Sequence, residues 1–176
     1  MPVYLFTAHA YRSWGEDHPR GYVQRGKGLQ ESNERLAHWR AANARHEPAR
    51  FDGQLQGIIM EAVESVAAER GVRLHALAVT LTHVHILVSF RSPACTCGAS
   101  KFCRKACEGR KFVETFGIRA KRKMGQMIAK TMETKDRPWL SRGWDLTPVR
   151  DREHFDFLVA KYLPKHEREE GIARTY

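Results

Sequence analysis

The chain reads as an α+β protein built on an antiparallel sheet, with helices packed on one face of it. Two observations carry that expectation. From His83 to Phe90 the side chains alternate: Val84, Ile86, Val88 and Phe90 fall on one side, and His83, His85, Leu87 and Ser89 on the other. A period of two marks a half-buried strand. In residues 52–70, by contrast, Leu55, Ile58, Ile59, Ala62, Val63 and Val66 recur at helical spacing, which gathers them on one helix face.

The remaining elements follow in order. Residues 3–11 read as a strand, because Val3, Tyr4, Leu5, Phe6 and Thr7 are apolar, aromatic or β-branched. Arg12 to about Gly28 is rich in glycine, proline and charge and reads as a long loop. Residues 30–46 read as a polar helix with Leu36 and Trp39 as its large apolar residues. Asp52 can cap the helix at 52–70, and Gly71 stands just past its end. Strands are expected at 73–81 and 83–90. Residues 92–109 form a Cys- and Gly-containing insertion without periodicity. Residues 110–134 read as a basic helix with Phe112, Phe116, Met124, Met127 and Ile128 as apolar contacts. Residues 139–149 read as a strand or extended segment, and 151–163 as a last helix capped by Asp151. A strand–helix–strand–strand–helix–strand order is that of the ferredoxin-like (RRM-like) sheet. Its second face is then open to carry a site. The expectation is one domain over 1–176, with 92–109 inserted in it.

Composition narrows the function. At 176 residues and 42% hydrophobic, the chain is not disordered by composition. No apolar run approaches the ~20 residues of a membrane span, so no membrane is expected as a partner. The amino-terminal residues carry neither a basic region nor a small-residue cleavage site, and the cytoplasm is the expected location. The net charge of +10 and pI near 9.8 favour a polyanionic partner, although basic charge also serves plain solubility. The excess is local: Lys101 to Lys130 holds ten basic residues against two acidic ones. Within it Arg119, Lys121, Arg122, Lys123 and Lys130 are the candidate phosphate contacts, giving affinity without a sequence code. Trp14 and Trp144 are expected in the core, with stacking on an unpaired base as the alternative.

Three groups of residues carry chemistry. His83 and His85, two apart on a strand, emerge on the same face about 6.6 Å apart along the backbone at a rise of ~3.3 Å per residue. They can converge on one metal ion or simply face solvent. Tyr162 follows Phe155, Leu158 and Val159 at i, i+3, i+4 and i+7, which on spacing alone makes it a core-facing aromatic. All four cysteines, Cys95, Cys97, Cys103 and Cys107, lie in the insertion. Their clustering suits a structural zinc that folds a loop without a core, although Cys-x-Cys is tighter than the usual spacing. Disulfides and an iron–sulfur cluster are the weaker readings.

Thr82 to Val88, with its two histidines around a hydrophobic residue, resembles the motif of the HUH single-strand endonucleases, most of all the REP-associated and other small tyrosine transposases. Three further blocks resemble that family in the same order. They are Tyr4 to Gly21 with Trp14 and Gly15, Trp139 to Phe155, and Phe155 to Ala173. The resemblance implies a metal-dependent single-stranded DNA endonuclease and strand transferase acting at hairpin or inverted-repeat DNA. Tyr162 would be the nucleophile, leaving a 5′-phosphotyrosine and a free 3′-hydroxyl. His83 and His85 would hold Mg²⁺ or Mn²⁺. In the family a Gln or Asn one helical turn after the tyrosine completes the metal site; here that position is His166. It can act as a third imidazole ligand, shifting preference from Mg²⁺ toward Mn²⁺ or softer ions, or stay exposed in a polar run. Pro164 interrupts the helix between them, and both a kink and a hinge are compatible with it. Relatives differ in being monomers or homodimers. Two other functions compete. One is a non-catalytic nucleic-acid-binding module on the same fold. The other is a zinc hydrolase that uses His83, His85, a third ligand and an activated water, and is insensitive to Tyr162→Phe.

Overall fold

A five-stranded antiparallel sheet in the order β6-β1-β5-β4-β7 organises the protein. The structure, a computed structural model, describes residues 1–24, 26–90 and 108–176; side chains of the last stretch are described from Val113 onward, Glu169 excepted. The strands are β1 (Val3–His9), β4 (Arg73–Val79), β5 (His83–Ser89), β6 (Asp145–Pro148) and β7 (Ile172–Thr175). A separate hairpin of β2 (Tyr22–Gln24) and β3 (Gly28–Gln30) lies in the stretch expected to be a loop. The helices are α1 (Glu34–Ala42), α2 (Gly53–Glu69), α3 (Glu108–Thr131) and α4 (Arg152–Phe157). The cysteine-bearing part of the insertion lies outside the described residues, and Glu108 already belongs to α3.

Alternation along β1 and β5 splits the core into two. Phe6, Ala8, Val84, Ile86, Val88 and Phe90 pack beneath α2 and α3, with Leu55, Ile59, Val63, Phe116, Met124 and Ile128. Phe116 meets Phe6 and Phe90 edge-on, at 5.5 and 5.7 Å between ring centres. Burying each such side chain stabilises the fold by roughly 1.5–3 kcal/mol. Asp52 Oδ1 accepts the Leu55 amide at 2.9 Å and fixes where α2 begins.

The opposite face is less open than the sequence suggests. Leu5, Ala76, Ala78 and Leu87 form a second apolar cluster with Leu158 and Leu163. The carboxy-terminal helical run therefore covers part of this face, and the expectation of helices on one face holds for α2 and α3 alone. Ala76 and Ala78 are small, which lets that run sit close to the sheet. Asp151 caps its start, its Oδ1 accepting the His154 amide at 2.7 Å.

After this run the chain turns into β7, which the sequence reading did not expect. Gly171 makes the turn possible: a Cβ there would stand 2.6 Å from both His166 O and Val79 O, closer than any side chain tolerates. Buried Gln56 ties the turn to α2, its Nε2 donating to Phe51 O at 3.0 Å and Glu170 O at 2.8 Å. At the other edge Pro148 lies in β6, where a missing amide is tolerated.

Candidate active site

Strand β5 sets His83 and His85 on the face away from α2 and α3, as alternation requires. Their rings are nearly parallel, 3° between planes, with centres 5.9 Å apart. Each Nδ1 shares a hydrogen bond with a threonine hydroxyl: His85 with Thr7 Oγ1 at 3.0 Å, His83 with Thr82 Oγ1 at 2.7 Å. Thr7 is the register partner of His85 across β1 and β5. These bonds hold the ring orientation, the role that outer partners play around metal-bound histidines.

The carboxy-terminal run brings in the other two expected residues. It begins as α4 and widens to a π-helix over Leu158–Tyr162, with Leu163 N donating to Leu158 O at 3.0 Å. It then tightens to a 3₁₀ helix over Pro164–Glu169. Pro164 has no amide hydrogen, so the wide ladder cannot continue through it. The path from Tyr162 to His166 is thus not one α-helical turn, yet the two still meet. Their rings lie edge-on, 5.2 Å between centres. Tyr162 is also edge-on to His85 at 5.5 Å. His166, 6% exposed, stacks on His85 at 4.6 Å and 14°. Of the two readings of His166, the exposed one does not hold, since the ring is buried. Short π segments recur at functional sites, where the extra residue re-aims a side chain. Lys165 Nζ stands 4.7 Å from the centre of the Tyr162 ring.

Burial pushes the pKa of His85 down to about 3, and the neighbouring His166, His83, His9 and Lys165 push in the same direction. At neutral pH His85 is an uncharged imidazole, the form that accepts a hydrogen bond or binds a metal.

Two residues that the sequence reading missed complete the cluster. His9, the register partner of His83, lies with its ring centre 4.7 Å from that of His83. Asp145, at the start of β6, has Oδ2 3.3 Å from His9 Nε2. The signal was present in the alternation of β1, where His9 shares the parity of Leu5 and Thr7. Only the β1–β5 register turns that parity into proximity.

The donor chemistry suits a divalent ion. Imidazoles that share an ion hold their ring centres roughly 4.5–5.5 Å apart, given metal–nitrogen bonds of about 2.1 Å; His9–His83 and His85–His166 are spaced so, and His83–His85 at 5.9 Å is wider. The parallel rings, however, do not converge. Among the described residues no three His, Cys, Asp or Glu side chains stand in a metal-holding group. The imidazoles suit such an ion in kind, but as placed they do not gather around one point.

The other expected site residues lie elsewhere. Cys95, Cys97, Cys103 and Cys107 fall outside the described residues. α3 packs on the face opposite the histidines. On it Arg119, Arg122 and Lys130 are exposed. Lys123 Nζ lies 3.9 Å from Glu69 Oε1. Lys121 is not a free phosphate contact: its Nζ donates to Ser141 O and, at 2.7 Å, to Gly143 O, and burial lowers its pKa. Trp14 is 41% exposed and stacks on His18 at 3.8 Å, not in the core as expected. It borders a cleft of about 1150 Å³ between residues 11–17 and α1, lined also by Arg12, Arg35, Arg40 and Arg45.

Fold and site together define a class: an antiparallel-sheet protein carrying a histidine–tyrosine cluster on the sheet face away from its two main helices. No protein-family model matches the chain, and no curated protein matches it. Among solved structures, it is similar to one titled "Structure of the REP associates tyrosine transposase bound to a REP hairpin". The identity is 10%, the TM-score 0.48, and the match covers 96% of this chain and 69% of that one. Among the described residues, no helix is long and apolar enough to cross a membrane.

Proposed function

We propose that this protein is a metal-dependent single-stranded DNA endonuclease and strand transferase, built on a ferredoxin-like scaffold and acting at hairpin DNA through Tyr162. The observation that carries the reading is the edge-on packing of Tyr162 against both His85 and His166. A core aromatic has no need of two imidazoles; a nucleophile beside a phosphate-activating site does.

The Tyr162 oxygen attacks the phosphorus of a phosphodiester. The bond from phosphorus to the 3′ oxygen breaks, the phenolic proton is lost, and the departing oxygen takes up a proton. The products are a 5′-phosphotyrosine and a free 3′-hydroxyl, and the same hydroxyl, or another, can reverse the step. A phenol with a pKa near 10 is a weak nucleophile at neutral pH, so the reaction depends on activation of the phosphate. His83, His85 and His166 would hold the divalent ion, with Thr7 and Thr82 fixing two of the rings. A bound ion would supply Lewis-acid polarisation of the phosphate. Arg119, Arg122 and Lys130 lie on the far face, and in this reading they hold phosphates distant from the cleaved one. A structural zinc on the four cysteines would extend the basic surface of the insertion.

Labelled single-stranded oligonucleotides spanning the hairpins that flank the gene provide the test. With Mn²⁺ or Mg²⁺, a protein–DNA band resistant to denaturation is expected, lost with chelator and in Tyr162→Phe. DNA binding with no such band under either metal leaves the binding module as the function.

A further inference from the structure

Trp14 is held in place without serving the core. Its Nε1 donates to Gly21 O at 2.9 Å, and His18 covers one face of the indole at 3.8 Å between ring centres. His18 is pinned in turn, its Nδ1 accepting the Arg20 amide at 3.1 Å. Yet 41% of Trp14 stays exposed, at the border of the cleft between residues 11–17 and α1. A large aromatic ring fixed in water adds little to stability, but it pre-organises a surface for stacking. α1 points the same way. It buries none of its residues, so it adds nothing to the core, and it forms the second wall of the cleft. The Arg40–Glu16 ion pair and the Asn33 amide, which donates to Glu16 O at 2.7 Å, tie that wall to residues 11–17.

The cleft is continuous with the candidate active site. Ring contacts run from Tyr162 to His85 (5.5 Å), His83 (5.9 Å), His9 (4.7 Å) and Trp14 (6.1 Å). The cleft walls carry Arg12, Arg35, Arg40 and Arg45 against Glu16, Asp17 and Glu34. Glu16 engages Arg40, and Arg12 Nη1 donates to His46 O at 3.1 Å; Arg35 and Arg45 are exposed. At about 1150 Å³ the cleft exceeds the roughly 300–1,000 Å³ of a pocket for one small molecule. A pinned aromatic ring, arginines and an open cleft of that size are the parts of a single-strand binding surface.

We propose that this cleft holds the unpaired DNA on the 3′-hydroxyl side of the cleaved phosphate, with a base stacked on Trp14 and phosphates on Arg35 and Arg45. The inference rests on the reading of Tyr162 as the nucleophile. In an in-line displacement the departing 3′ oxygen lies opposite the attacking one. With the Tyr162 oxygen on one side of phosphorus, the departing strand leaves along the histidine row toward Trp14. Holding it there keeps the 3′-hydroxyl beside the phosphotyrosine. That hydroxyl can then attack the phosphorus and lose its proton, while the Tyr162 oxygen leaves and takes one up. Rejoining thus depends on the cleft more than adduct formation does.

The test uses the full chain and two probes. The first is oligodeoxythymidylate, bound in chelator and followed by fluorescence anisotropy, so that no chemistry is needed. Trp14→Ala is expected to weaken its binding about tenfold, and Trp14→Phe by less than about threefold. Arg45→Ala is expected to lower the salt-dependence slope by about one. Thermal melts confirm that the variants are folded. The second probe is a flanking hairpin oligonucleotide with Mn²⁺, carrying 5-iododeoxyuridine on one or the other side of the cleavage site. Irradiation is expected to crosslink the 3′-hydroxyl side to the peptide containing Trp14. Trp14→Ala is expected to lower the ratio of rejoined strand to Tyr162 adduct about tenfold. Oligodeoxythymidylate affinity within about twofold of the parent in Trp14→Ala overturns the cleft as a strand site, whatever Tyr162 does. Crosslinks to Trp14 from the 5′-phosphate side alone overturn the assigned side. No adduct in the parent, with affinity still lost in Trp14→Ala, overturns the nucleophile reading and the assigned side, and supports the cleft as a single-strand site.

Discussion

The imidazole of His166 stacks on that of His85 with ring centres 4.6 Å apart and planes 14° from parallel. One ring belongs to a central strand and the other to a short 3₁₀ segment near the end of the chain. Their contact depends on Leu158 and Leu163, which anchor that segment on Leu5, Ala76, Ala78 and Leu87.

Leu163→Ala removes a fully buried side chain at that anchor. We expect a loss of about 2–5 kcal/mol of unfolding free energy in urea. The Tyr162 adduct should weaken at temperatures where the variant is still folded. Full activity with the expected destabilisation would mean that the segment holds its geometry without the anchor.

Pro164→Ala restores the missing amide hydrogen between Tyr162 and His166. A regular helix can then run through the position, and the two rings move relative to His85. Adduct formation should slow on the order of tenfold to a hundredfold, with stability changed by less than about 1 kcal/mol. An unchanged rate would show that the π-to-3₁₀ path is incidental.

The depressed pKa of His85 gives a signed pH dependence. The folded protein keeps this imidazole neutral down to a pKa of about 3, whereas the unfolded chain protonates it near the ordinary 6.5. Between those values the unfolded state binds the extra proton. The contribution to stability is therefore complete above pH 6.5 and is lost as pH falls toward 3, by roughly 1.4 kcal/mol per unit. Urea unfolding of the metal-free protein at pH 7 and pH 5 should differ by about 2 kcal/mol from this group. His85→Asn should flatten the profile; an equally steep profile in that variant would assign the effect to another group.

Two neighbouring cations on α3 should part company. Lys121→Ala loses donors to Ser141 O and Gly143 O and should destabilise the fold by roughly 1–3 kcal/mol. Arg122→Ala should change stability by less than about 0.5 kcal/mol. Instead it should weaken DNA binding and lower the salt-dependence slope by about one. Filter binding across a salt series, beside urea titrations, checks both; equal slopes for Arg122→Ala and the parent would remove α3 from the DNA contact.

How far the sequence carried the reading depended on whether an element's partner is local. The alternation at 83–90 and the helical stripe at 52–70 each bury one face, so their type and orientation were legible. The Tyr162–His166 pairing was also legible, but through helical spacing that the chain does not use. β7 was not legible: Ile172–Thr175 carries no alternation of its own, and its pairing with β4 depends on the close turn at Gly171. His9 escaped because a histidine in a strand acquires meaning only from its cross-strand partner, and Asp145 because it comes from the far edge of the sheet. Lys121 looked like its exposed neighbours until the Ser141–Gly143 segment folded against it.

Mass spectrometry of the protein after reaction with single-stranded hairpin DNA and metal, followed by nuclease and protease digestion, tests the covalent step at the residue that must bear it. The account predicts a nucleotide mass on the peptide containing Tyr162, absent from Tyr162→Phe and from chelator-treated samples. DNA cleaved at an undiminished rate by Tyr162→Phe, or a nucleotide mapped to any other residue, would contradict it.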